Sequence, residues 1–324
     1  MRSKLLIGGI VAAALIGFLL GILPVFSPAA LPEKAKVPEA TLSPEAYSYD
    51  PTVLPSDALY YLGDDYQKYC QLIEAVRWAQ GTLPFASKKQ YEKVLLVFSR
   101  FYLPISLLDN SGGSAVTLDE QTLVGTIAYS NDRDTQIQLN YNFEVMIDRI
   151  IRENVTDPAD KLGAAMELYR YVASSITYVE DHSISTYQCL LSGQGLCKNY
   201  SELYELLLNQ LGILCYPAVS ASHAWLMVQL DGEWYHMDPT FENSATGGKG
   251  LRYFGLTDAE RLTSVDSSIL YTPFAYYPNS PSSLTCNSVR FLALHNDSYN
   301  SFTIDRDTRA IWLYRGRKQT AQIR

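Results

Sequence analysis

The sequence predicts an α+β fold in which a helix bearing a cysteine packs on an antiparallel sheet bearing a histidine and an aspartate. Three observations carry that expectation. Gly195-Leu196-Cys197-Lys198-Asn199-Tyr200 opens an apolar run, Leu203, Leu206, Leu207 and Leu211, at helical spacing, and the run stops at Gly212. Two strand-like runs, residues 218–230 and 233–240, flank Asp231-Gly232, the strongest short signal for a two-residue hairpin turn. The residues that carry chemistry then follow in the order Cys197, His223, Asp238.

Each part of this arrangement has a chemical reading. Cys197 falls in the first turn of its helix, where unpaired backbone N–H groups and the positive end of the helix dipole favour an anion. A thiol so placed ionises more readily, and the thiolate is the reactive form. A two-residue turn pairs Leu230 with Glu233, which by counting sets Trp225 opposite Asp238 and His223 opposite Thr240. Residues of equal parity share a face, so His223 and Asp238 become diagonal neighbours, with β-carbons roughly 7 Å apart or less. An imidazole there takes the thiol proton, and the carboxylate fixes its tautomer. His236 shares that face, opposite Met227 and nearer the turn, and is the competing base. Trp225, Trp234 and Tyr200 read as packing.

Gly195-x-Cys197-x-x-Tyr200, His223-Ala224-Trp225, Asp231-Gly232-x-Trp234-Tyr235 and Asp238-Pro239-Thr240 resemble, in order and spacing, the transglutaminase-like superfamily of papain-fold cysteine enzymes. A weaker likeness to membrane-anchored bacterial members extends to helices before this core and to Leu251-Arg252-Tyr253-Phe254 after it. The resemblance implies a papain-like core with Cys197 as nucleophile, His223 as general base and Asp238 as orienting acid, and no cofactor. It implies acyl transfer from an amide or peptide to an amine or to water, because the family holds transferases and hydrolases alike. The second reading is a non-catalytic binding or scaffold module of the cell envelope. Such relatives often lack one of the three residues, and here all three remain. The second oxyanion donor stays open among Tyr187, Gln188 and Gln194.

Composition narrows the rest. The chain has 324 residues, 47% of them hydrophobic, enough for a sizeable core. A formal charge of −8 without a basic stripe argues against nucleic acid as partner. The cysteines are Cys70, Cys189, Cys197, Cys215 and Cys286. They contain no C-x-x-C pair, and His182, His223, His236 and His295 are scattered, so no metal site is expected. An odd cysteine count suits one free thiol. The 24 tyrosines read most simply as filling a mixed core and its rim.

Along the chain, Arg2 and Lys4 precede nineteen uncharged residues, Leu5–Leu23. As a helix these span roughly 28 Å, about one bilayer core. The expectation is an N-terminal transmembrane anchor over residues 1–26, with the N-terminus cytoplasmic and the bulk of the chain extracytoplasmic. The alternative is a signal peptide cleaved after Ser27-Pro28-Ala29. Residues 27–56 hold six of the fifteen prolines and read as a tether. Residues 57–155 read as a helical and hairpin region, with helices over 64–80 and after the capping box Ser87-x-x-Gln90, a hairpin over 121–143 centred on Asn131–Asp134, and helix again over Phe143–Arg152. The core spans 156–283: Asp157-Pro158 starts its first helix, a loop at Gly247–Gly250 flanks the cleft, and Thr257-x-x-Glu260 caps a short helix. A C-terminal β extension, 284–324, offers strands at Val289–Leu294, Ser301–Ile304 and Ala310–Tyr314, followed by a solvated basic tail. The expected partner is a peptide or protein amide, cell-wall peptide included.

Overall fold

A computed structural model of the protein describes residues 49–264, 270–271, 284–296, 299, 301–305, 307–308 and 310–323. The expected anchor, and the tether as far as residue 48, lie outside the described residues. Among the described residues, no helix is long and apolar enough to cross a membrane. The chain divides into two compact units, the first ending at Asp148 and the second running from Arg149.

In the first unit, helices α1 (Ser56–Leu62), α2 (Tyr66–Arg77) and α3 (Lys88–Phe101) accompany a small antiparallel sheet of order β1-β3-β2, made of Thr82–Pro84, Val124–Ile127 and Val116–Asp119. Ser87 caps α3 by accepting from the Gln90 backbone N–H at 3.1 Å, as its capping-box spacing requires. The expected hairpin over 121–143 is corrected. The hairpin is β2–β3, and helix α4 runs from Arg133 to Asn154. The polar cluster is a helix start, since Asp132 accepts from Thr135 N–H at 3.0 Å and from its hydroxyl at 2.7 Å. The inward face of α4 carries buried Gln136 and Asn140. Asn140 donates to the Val76 carbonyl at 2.8 Å, so a polar pair occupies positions where the helical period calls for apolar residues.

The second unit holds the five-stranded antiparallel sheet, order β10-β6-β7-β8-β9. Its strands are β6 (Cys215–Val219), β7 (Ala224–Leu230), β8 (Glu233–Met237), β9 (Phe254–Leu256) and β10 (Leu270–Tyr271). Helix α7 (Cys197–Gln210) packs on β6 and β7 and against α5 (Lys161–Ser175) and α8 (Pro239–Thr246). Helix α5 starts later than expected. Asp160, not Asp157, is its cap and accepts from Gly163 N–H at 3.2 Å. Buried tyrosines stitch these layers together: Tyr204 donates to the Ala165 carbonyl at 2.9 Å, Tyr200 to Ile176 at 2.6 Å and Tyr169 to Asp238 at 3.0 Å. The glycine loop after α8 is packed in place, because a Cβ on Gly248, whose φ is +73°, would meet the Ser174 backbone nitrogen at 2.5 Å. At the C-terminal end β11 (Ser301–Asp305), β12 (Ala310–Arg315) and β13 (Lys318–Ile323) form an antiparallel sheet. The expected basic tail is therefore a strand, exposed from Lys318 to Thr320 and running inward to buried Ile323. Val289–Leu294 is not a strand but a turn and a 3-10 helix, Leu292–Leu294.

Candidate active site

Cys197 is the first residue of α7 and is half-buried. The chain reaches it along β5 (Gln194–Gly195), which pairs in parallel with β4 (Thr177–Tyr178). Gly195 permits a close approach, since a Cβ there would meet the Asn199 Cβ and the Cys189 sulfur, each at 2.9 Å. Asn199, unassigned from sequence, turns back to accept from Leu196 N–H at 3.0 Å and donates to the Ile184 carbonyl at 3.0 Å. It fixes the helix start.

The hairpin forms as counted near its turn: Leu230 pairs with Glu233 and Met227 with His236. The ladder stops at Leu226–Met237, however, so Trp225 does not pair with Asp238, nor His223 with Thr240. Pro239 explains the break. It lacks an N–H and sits at the first position of α8, which turns Asp238 from a strand residue into a helix cap. Asp238 Oδ1 accepts from Phe241 N–H at 2.9 Å, and its own N–H bonds to the Tyr253 carbonyl at 3.0 Å. The two predicted partners still meet: His223 Nε2 donates to Asp238 Oδ2 at 2.8 Å. His223 sits just before β7, where Ser220 N–H donates to its carbonyl at 2.8 Å.

The electrostatics follow from this burial. Burial opposes charge on His223, but the Asp238 carboxylate, by charge and hydrogen bond, and then Cys197 push its pKa up to about 9. Asp238 is fully buried. Desolvation opposes its charge too, yet His223 and then Arg261 hold it below the usual carboxylate range. With Nε2 engaged by Asp238, Nδ1 is the ring atom left to interact with Cys197.

The competing base, His236, is fully buried with both ring nitrogens occupied. Trp225 Nε1–H donates to its Nδ1 at 2.9 Å, and its Nε2 lies 2.9 Å from Asp258 Oδ1. His236, Asp258 and Cys286 offer ligand atoms within 4.8 Å of one another, the spacing of a metal site. They do not fit one. Trp225 can only donate, so Nδ1 carries no proton and Nε2 must carry it. A metal on Nε2 would move that proton to Nδ1 and set it against the indole N–H. Burial, only partly offset by Asp258, lowers the His236 pKa, in keeping with a neutral ring. The cluster is a hydrogen-bonded brace behind Trp225.

Of the three oxyanion candidates, Gln188 is committed to capping α6 (Thr186–Ser192), accepting from Ser185 N–H at 2.8 Å, and Tyr187 is buried. Gln194 is exposed on β5. Sequence reasoning missed two residues. Tyr178, 44% exposed, is paired with Gly195 two residues before the thiol and interacts electrostatically with Cys197. Its only sequence signal is its strand, Thr177–Tyr178, ahead of the cysteine. Arg261, 1% exposed, places Nη1 2.8 Å from Asp238 Oδ2. No motif marks it.

A helix-borne thiol beside a histidine–aspartate pair at the strand ends of an antiparallel sheet defines a candidate thiol acyl-transfer site. Residues 148–239 match the family model of the transglutaminase-like superfamily, and this segment is a transglutaminase-like domain. It contains Cys197, His223 and Asp238, while Arg261 lies beyond it. No curated protein matches the chain.

Proposed function

We propose that the protein is a thiol-dependent acyltransferase or amide hydrolase acting on peptide or protein amides. The observation that carries this is the His223–Asp238 hydrogen bond at 2.8 Å in a domain that also retains Cys197. Cys197 Sγ attacks the amide carbonyl carbon while its proton passes to His223 Nδ1. The oxyanion forms beside the first-turn N–H groups of α7, with the Tyr178 hydroxyl as second donor. Collapse breaks the C–N bond, and His223 returns the proton to the departing ammonia or amine. The thioester then yields to an amine, giving a crosslink, or to water, giving deamidation or proteolysis. With Leu5–Leu23 as an anchor, the domain works outside the cytoplasmic membrane, where cell-wall peptides are the nearest amides.

The test is to incubate the full chain with glutamine-containing peptides and a tagged amine and to read product masses. Ammonia loss with tag gain means transfer, a gain of about one mass unit means deamidation, and fragments mean proteolysis. Absence of any product that depends on Cys197 supports the binding-module reading. Membrane fractionation tests the address: a mature soluble chain beginning near Ala30 replaces the anchor with a cleaved signal.

A further inference from the structure

We infer that Arg261 is a positioning residue of this site, one that sets how strongly Asp238 holds the charge on His223. The inference rests on the acyl-transfer reading above. Arg261 stands on α9 (Asp258–Ser264), a helix capped by Thr257 and Glu260, whose hydroxyl and carboxylate exchange hydrogen bonds with each other's backbone N–H at 3.2 and 2.9 Å. His295 pins that cap, with Nδ1 2.6 Å from Glu260 Oε1. From α9 the guanidinium reaches Oδ2 of Asp238, the oxygen that also accepts from His223.

The same two rings line both cations. The Arg261 guanidinium lies 4.0 Å from the Trp225 ring centroid and 5.0 Å from that of Phe241. The His223 ring lies 5.8 Å from Trp225 and 4.4 Å from Phe241, nearly parallel to each. His223 and Arg261 thus share a carboxylate oxygen and an aromatic wall. Asp238 and Cys197 face His223, while Asp238, Tyr169 and Tyr253 surround Arg261, with His236 and Asp258 behind Trp225.

The sign of the effect follows. A positive charge on Oδ2 takes up part of the field that stabilises the imidazolium, so Arg261 restrains the His223 pKa. Without it, His223 would stay protonated to higher pH and release its proton to the leaving group less readily. A purely structural arginine would contribute to stability and leave the titration of His223 where it is.

The experiment is a titration of His223 in the full chain with carbon-13-labelled histidine, read by NMR for wild type, Arg261→Met and Arg261→Lys, with thermal melting of each. Arg261→Met keeps the packing volume and loses the charge. Its His223 midpoint should rise by roughly one pH unit, the size of shift that a neighbouring charge produces. Arg261→Lys keeps the charge and should hold the midpoint near wild type. A folded Arg261→Met with an unmoved midpoint overturns the inference. If Arg261→Met does not fold, Arg261→Lys decides, and a midpoint displaced as far as a unit overturns it. Wild-type Cys197 that reacts no faster than a free thiol overturns the acyl-transfer reading itself, and that result is separate because it involves no change at Arg261.

Discussion

The Phe241 ring stacks on the His223 imidazole, with centroids 4.4 Å apart and planes 17° apart, while the Phe241 backbone N–H donates to Asp238 at 2.9 Å. One residue thus orients the imidazole by its side chain and the carboxylate by its main chain. Phe241→Ala removes the first contact and keeps the second. Its expected effect is a fall of about tenfold in the rate of Cys197 acylation, the scale on which loose positioning is felt. Phe241→Tyr should retain most of the rate, and single-turnover kinetics on both variants measure the difference.

Selective labelling tests the thiol. Cys189 is pushed up to about 12 by burial, and burial also raises Cys70 and Cys286. A sub-stoichiometric dose of iodoacetamide at about pH 6 should modify Cys197 first. His223→Ala should abolish the preference, Asp238→Asn should weaken it less, and His236→Ala should leave it nearly intact. Peptide mapping gives the order, and a larger effect from His236→Ala than from His223→Ala sinks the proposed pair.

The imidazole also makes stability depend on pH. The His223 pKa rises from 6.5 to about 9 on folding, so its contribution is full below pH 6.5 and is lost as pH climbs through 9. Denaturant unfolding should show a loss on the order of 3 kcal/mol across that interval. His223→Gln should flatten the slope.

Tyr178→Phe isolates the hydroxyl beside the thiol. Removing one oxyanion donor costs roughly 10²–10³ in kcat where such donors have been deleted. An exposed phenol should fall at or below the lower end, with KM little changed. An unchanged kcat would mean that the backbone N–H groups of α7 suffice.

The parts of the site readable in advance were those fixed by local chemistry. Asp231-Gly232 dictates a two-residue turn, and the pairing of Leu230 with Glu233 follows. The glycine before Cys197 and the leucine spacing after it dictate a helix start. The counted register held as far as Leu226–Met237, but at Pro239 a missing N–H ended the ladder three pairs short of His223–Thr240, and the His223–Asp238 contact survived because both side chains lie at that strand end. Arg261 was illegible because an isolated arginine in a short capped helix has no pattern, and only tertiary structure brings it to Asp238. The misread hairpin at Asn131–Asp134 has a different cause. Asp and Asn serve turns and helix caps alike, and buried Gln136 and Asn140 hide the apolar stripe of α4.

The carboxylate of Asp238 has two oxygens with separate duties: Oδ1 starts helix α8 and Oδ2 holds the histidine. The histidine–aspartate pair is therefore assembled only where β8 has ended and α8 has begun. An unfolded or half-folded chain carries the cysteine without this pair beside it. This makes reactivity of the thiol a property of the finished fold rather than of the residue. It also sets the choice of variant. An asparagine at 238 keeps an oxygen for the helix, whereas an alanine would remove the helix cap and the histidine's partner together.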